Sequence, residues 1–298
     1  MVLHDDTNWP RAGAWFKKTN GESNSKIADI AIVGVGASKI AITPNNADTT
    51  PQAIRDALLR YSTYHAGKDV DLQKLSAFDF GDLSNPDDQD KSISELKTLL
   101  NQSKTLILMG GDNSITYSGV SALAAESFAE VGVITLDAHH DVRDGISNGS
   151  PIRQLVEVGL PGKNIVQIGI NDFANSKFYA ERVKNYGITV IHRSEFDSNE
   201  ISNIAKLAFE KLNNCTKIYL DIDIDVCDRS VVPAAPASVP GGISANQLRQ
   251  IVAEIAADRR VNTFDITEID ASIDATDQRT TRLAALCILE IAAAKANN

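Results

Sequence analysis

The chain alternates short apolar runs, rich in β-branched residues, with segments of helical period, and few folds accept that order. The runs lie at 26–35, 76–80, 104–109, 131–136, 164–170, 187–191, 217–220 and 261–266. They are short and bounded by turn residues, so they read as eight strands. Between them, 51–64, 92–102, 118–129, 201–212 and 244–257 carry apolar residues at helical spacing, the first with Pro51 in its opening turn. Runs such as Val133, Ile134, Thr135, Leu136 are nearly all apolar, as expected where both faces of a strand are covered. The order predicts an α/β protein with a mostly parallel sheet between two helix layers, a three-layer αβα domain. Residues 1–25 and the acidic stretch 81–91 are polar and linker-like, and neither divides the rest. The expected organisation is an N-terminal extension, 1–25, and a single domain, 26–298.

Charge narrows the partner. With 29 basic against 39 acidic side chains the net charge is −10, and no basic run is present to neutralise phosphates. Nucleic acid and anionic membrane are therefore excluded as expected partners, and a small molecule is favoured. No stretch approaches the roughly 18 apolar residues of a membrane span, and the opening MVLHDDTNWPRAG lacks the basic and apolar regions of a secretion leader. Cys215, Cys227 and Cys287 sit in apolar surroundings without CxxC spacing, as free thiols do in a reducing cytoplasm.

Four polar clusters fall at strand ends: Gly110, Gly111, Asp112, Asn113; Asp137, Ala138, His139, His140, Asp141; Asp221 through Asp228; and Glu268. In a parallel sheet the carboxyl ends share one edge, where ligands bind. Asp137, His139 and Asp141 are spaced i, i+2, i+4, and Asp221, Asp223, Asp225 repeat the pattern, so extended segments would project each set to one side. So many carboxylates in one cleft repel unless protonated or bridged by cations, and oxygen mixed with imidazole suits Mn²⁺, Fe²⁺, Co²⁺ or Zn²⁺ better than Ca²⁺. An EF-hand is excluded, because counting from Asp221 places Val226 and Val232 where Gly and Glu are needed. A phosphatase-type DxD lacks its following hydroxyl residue. The glycine pair reads as a tight turn. His4, His65 and His192 have no ligand-spaced neighbours, and His140 should point away from His139.

These residues resemble the ureohydrolase family of arginase, agmatinase and formimidoylglutamase, through GGDNS, DAHHD, DIDIDVCDRSVVPAAPASVPGG and DITEID. The resemblance spans about residue 28 to the C-terminus. It implies an arginase-like fold with an eight-stranded mostly parallel sheet, two Mn²⁺ ions per subunit, and a homo-oligomer, trimer or hexamer. It implies Asn113, Asp137, His139, Asp141, Asp223 and Asp225 as metal ligands, with Asp137 and Asp223 touching both ions and Asp221 outside the set. It makes Glu268 the partner of the substrate's cationic nitrogen end, and in the mechanism expected here Asp141 or a nearby acid relays a proton to the leaving amine. Asn113 departs from the family's usual His. An amide oxygen is a weaker donor than imidazole, so the nearest ion should be held more loosely.

The stretch DVRDGISNGSPIRQL resembles formimidoylglutamases more than arginases or agmatinases, which carry a longer loop. Arg143, two residues beyond Asp141, should face the same cleft and give a carboxylate a two-point contact. Asn148 is a further candidate for substrate contact. Pairing of Arg143 with Asp144 or Asp141 is the bland alternative, and Arg153 reads equally well as structural. The expected reaction is hydrolysis of N-formimidoyl-L-glutamate to L-glutamate and formamide, a step of histidine breakdown. The alternatives are an agmatinase, a guanidino-acid ureohydrolase, or a metal-depleted pseudoenzyme.

Overall fold

The computed structural model describes residues 6–19 and 27–296. Its strands are β1 (Lys17–Lys18), β2 (Ile30–Val35), β3 (Tyr64–His65), β4 (Val70–Asp71), β5 (Ala77–Asp82), β6 (Leu106–Gly110), β7 (Val131–Leu136), β8 (Ile165–Ile170), β9 (Thr189–His192), β10 (Lys217–Asp223) and β11 (Val261–Thr267). Nine of these form one parallel sheet in the order β1-β5-β2-β6-β11-β10-β7-β8-β9, and β3 with β4 make a small antiparallel hairpin.

The sheet thus has nine strands where eight were expected. The addition is β1, which lies inside the stretch read as an extension and pairs Lys17 and Lys18 with Phe78 and Asp79. Two exposed lysines at a sheet edge offer no apolar run to announce a strand; charge there also discourages edge pairing with another chain. Next to it, Trp15 packs on the main core and donates its indole N–H to the Leu75 carbonyl at 3.1 Å.

Side chains of the central strands alternate between two cores. Ile30, Ile32, Ile107 and Met109 face one, together with the helices Thr50–Leu58, Ile201–Lys211, Ala245–Ala256 and Arg279–Lys295. Ala31, Val33, Val35, Leu106 and Leu108 face the other side, where Gln89–Leu100 and Ile115–Ala124 pack. This period of two across a sheet covered on both faces is the three-layer αβα arrangement. Besides two four-residue helices, Ala12–Trp15 and Glu195–Ser198, three longer ones were not anticipated: Pro151–Glu157, Lys177–Tyr186 and Arg279–Lys295. The last is buried on nearly all sides, so it shows no apolar stripe to read.

The strand ends that carry polar clusters are neighbours. β6, β11, β10 and β7 lie side by side at the centre of the sheet, and register sets Asp223 opposite Thr267 and Ile222 opposite Leu136. Gly111, just after β6, is required for space rather than for a turn. A Cβ there would lie 1.9 Å from the Ala37 carbonyl oxygen, and no positive φ is involved. That close approach lets Gly111 and Asp112 N–H bond the carbonyls of Val35 and Ala37, binding the two strand ends together.

Candidate metal centre

Two ligand groups form where these strands end. Atoms of Asp137, His139 and Asp225 lie within 4.8 Å of one another, and so do atoms of Asp137, Asp141 and Asp223. Asp137 belongs to both, as a carboxylate shared between two cations would, whereas Asp223, also expected in both, falls in the second group only. One Asp137 oxygen accepts the His139 backbone N–H at 2.6 Å, and the other is buried with no hydrogen-bond partner among the described residues. A buried, unpartnered carboxylate oxygen costs free energy unless a cation or water meets it, so the donor set fits divalent metal.

The electrostatics agree. Burial, then Asp141 and Asp225 nearby, push Asp137 well above the carboxylate range, and burial and Asp225 do the same to Asp223. Burial pushes Asp141 up to about 7 and Glu268 up to about 7. His139 is raised as well, which keeps its charge. Burial opposes its charge, but Asp225, whose oxygen is 3.0 Å from Nδ1, and Asp137 carry it up to about 12. Burial also acts to raise Asp225, yet that contact with His139 wins and holds it low. The protein has gathered more negative charge than its own cations offset.

Asp141 and Glu268 share a backbone peculiarity, with φ of 52° and 60° in the left-handed region that non-glycine residues avoid. Asp141 is held there by its carbonyl, which accepts the N–H groups of Ile152 and Arg153 at the start of the helix Pro151–Glu157. Glu268 is held by its own N–H to the Gly111 carbonyl at 2.9 Å. Its Oε1 accepts the Asn113 backbone N–H at 2.7 Å and the Asn148 amide at 2.9 Å.

A cavity of about 310 Å³ opens over this floor, lined by Asn113, His139, Asp141, Asp223, Asp225 and Glu268. Arg143 and Asn148 line it too. Asp144, one of the two alternative partners weighed for Arg143, pairs with Arg182 at 2.8 Å instead, and among the described residues no side chain bonds the Arg143 guanidinium. Arg153 is structural: its guanidinium bonds the Arg143 and Gly145 carbonyls and Glu157, and so shapes the loop carrying Arg143. Asn148 is taken up at both ends, accepting from the Ile42 N–H at 2.9 Å while donating to Glu268, which makes it a strut between two loops.

Three further placements differ from or extend the spacing argument. Asp221 stays out of the ligand groups, because it lies one step back in β10, opposite Asp265 in register. Asn113 points its amide nitrogen, not its oxygen, at Asp141. His140 turns away to Gln167 at 2.7 Å, as alternation requires. Of the other histidines, His65 lies 3.4 Å from Glu290, His192 ends β9, and His4 is outside the described residues. The cavity wall also includes Ile42, Asn45, Asn175 and Tyr179, which no strand-end pattern marks.

Comparison with known proteins places this geometry. The arginase family is matched over residues 28–294. A formimidoylglutamase of Halalkalibacterium halodurans is 34% identical over 297 residues, covering 95% of this chain and 92% of that one. The crystal structure of formimidoylglutamase from Bacillus subtilis superposes with a TM-score of 0.91 at 28% identity, over 98% of this chain and 94% of that chain. A crystal structure of Trypanosoma cruzi formiminoglutamase with Mn²⁺ superposes with a TM-score of 0.83 at 24% identity, over 97% and 99% of the two chains. Matched across nearly its whole length in both sequence and fold, the chain belongs to the arginase family.

Proposed function

We propose that this protein is a manganese-dependent formimidoylglutamase, hydrolysing N-formimidoyl-L-glutamate to L-glutamate and formamide in histidine breakdown. The observation that carries the reading is what meets at one cavity: two carboxylate-rich ligand groups, a buried Glu268, and Arg143, whose guanidinium no side chain among the described residues bonds. Agmatine is a dication without a carboxylate, and Arg143 would repel it. N-formimidoyl-L-glutamate offers carboxylates to Arg143 and a formimidinium to Glu268.

In this reading residues Asp137, His139 and Asp225 hold one cation, and Asp137, Asp141 and Asp223, joined by Asn113, hold the other. Bound divalent cations supply Lewis-acid charge and make coordinated water a ready nucleophile near neutral pH. The chain does the rest. Glu268, anchored through Oε1, turns its free oxygen to the formimidinium N–H groups and fixes the carbon in place. Arg143 grips a carboxylate in a fork geometry. Asp141, on the cavity wall, returns a proton to the departing glutamate nitrogen.

Residues 26–298, with β1 from the preceding stretch added to the sheet, act as one metallohydrolase domain, and the protein assembles as a trimer or hexamer, which light scattering checks. Among the described residues no helix is long and apolar enough to cross a membrane. All three cysteines are buried free thiols, in keeping with a cytoplasmic location.

A substrate panel tests the proposal. Mn²⁺-loaded protein should release equimolar glutamate and formamide from formimidoylglutamate, and leave agmatine, arginine and guanidinobutyrate largely untouched. Arg143→Ala should lower kcat/KM for formimidoylglutamate by roughly 10- to 100-fold, chiefly through KM, since a hydrogen-bonded ion pair is worth about 1.5–3 kcal/mol. Preference for agmatine, or an unchanged KM in Arg143→Ala, contradicts it.

A further inference from the structure

We propose that Thr116 and Thr267 are positioning residues that hold the Asn113 carboxamide with its oxygen toward the cation site of Asp137, Asp141 and Asp223. The inference rests on the metal-centre reading above and concerns how this chain makes a ligand of an asparagine.

Both hydroxyls are buried and lie against one atom: Thr116 Oγ1 is 2.8 Å and Thr267 Oγ1 3.0 Å from Asn113 Oδ1. Thr116 Oγ1 is also 2.8 Å from Asp265 Oδ2, which receives the Tyr219 hydroxyl at 2.8 Å as well. A hydroxyl has one proton to give. Bonds to a carboxylate are the stronger kind, so the Thr116 proton goes to Asp265 and its lone pairs face Asn113. Against a carbonyl oxygen that is a repulsive contact.

A half-turn of the carboxamide removes the conflict. The two ends of the group are nearly the same size, so the turn needs no space. Its two N–H groups then donate to Thr116 and Thr267, and its oxygen faces Asp141. Without a cation that oxygen would oppose a carboxylate, and the amide instead donates to Asp141, as it does here. With a cation between them, both ends of the carboxamide are matched. Asp265 and Tyr219, fixed in adjacent strands, set the direction of the Thr116 hydroxyl. Asn113 is thereby pre-oriented as a neutral oxygen ligand, and Thr116 and Thr267 act only through it.

Calorimetric Mn²⁺ titration, with metal analysis of the gel-filtered holoenzyme, tests this. Thr116→Val and Thr267→Val should each weaken the looser of two Mn²⁺ sites by roughly 10- to 100-fold, the range found for residues that orient metal ligands. Thr116→Ser should bind like the parent. Thr116→Val added to Asn113→Ala should produce no further loss. Wild-type affinity in both valine variants, or an equal Thr116→Val effect with and without Asn113, overturns the cradle. Two tightly bound ions in Asn113→Ala overturn the ligand it serves, and a parent protein that binds no Mn²⁺ overturns the metal-centre reading itself.

Discussion

Asp137→Asn is expected to cut turnover of formimidoylglutamate roughly a thousandfold or more, a larger loss than substitution of any one residue lining the cavity. Metal catalysis rests on several kcal/mol of charge stabilisation, and about 4 kcal/mol corresponds to three powers of ten in rate. Asp137 is the one side chain common to both ligand groups, so its loss disturbs both cations, whereas changes at His139 or Asp141 touch one group each. Stability should move the opposite way. In chelator-treated protein the substitution removes one of several mutually repelling buried carboxyls, so Asp137→Asn should melt at a higher temperature than the parent when both lack metal. Steady-state rates at saturating Mn²⁺ and substrate, with calorimetric melting after chelation, check both signs. Near-parental turnover would show that the two groups do not hold the reactive metals.

The second large effect is a linkage between protons and metal. In the metal-free protein Asp141 and Glu268 are both pushed up to about 7, from ordinary values of 3.8 and 4.5. A raised folded-state pKa means that the folded form binds the proton more tightly than the unfolded chain. The stabilisation is complete below the ordinary values and is lost as pH rises toward about 7. His139, raised from 6.5 to about 12, adds a loss of the same sign above pH 6.5. Asp225, held below 3.8, contributes the opposite slope only in more acid solution. Chelated protein should therefore melt higher at pH 5 than at pH 8. Ligating carboxylates must be ionised and ligating imidazole neutral, so Mn²⁺ displaces these protons. The rise in Tm on adding Mn²⁺ should be larger at pH 8 than at pH 5, and titration in two buffers of different ionisation enthalpy should show net proton release. A pH-independent Mn²⁺ effect would contradict this linkage.

Much of the architecture is legible before any coordinates because covered parallel strands leave unmistakable apolar runs, and because polar residues collect where those runs stop. Six residues named from DAHHD, DIDID and GGDNS do meet at one sheet edge. The limits have equally physical sources. β1 is two lysines long, and Arg279–Lys295 is buried all round, so neither presents a pattern. Equal spacing put Asp221 with Asp223 and Asp225, but which step of a strand reaches the rim depends on where the strand ends. β10 runs through Asp223 before breaking into a short 3₁₀ turn at Ile224, so only Asp223 and Asp225 stand at the opening. Sequence alone does not separate the roles of Arg143 and Arg153. Their difference lies in the loop geometry, which gives Arg153 two backbone carbonyls and leaves Arg143 facing the cavity. The Asn113 orientation depends on Thr116 and Thr267, one from a helix and one from a strand 154 residues away, and is visible only in three dimensions.

Crystals grown with Mn²⁺ and measured at the manganese absorption edge bear most directly on the account. It predicts two anomalous peaks in each subunit, both touching Asp137, one completed by His139 and Asp225 and the other by Asp141, Asp223 and the Asn113 oxygen. An anomalous map with no peak beside Asp137 in a manganese-saturated crystal would contradict it.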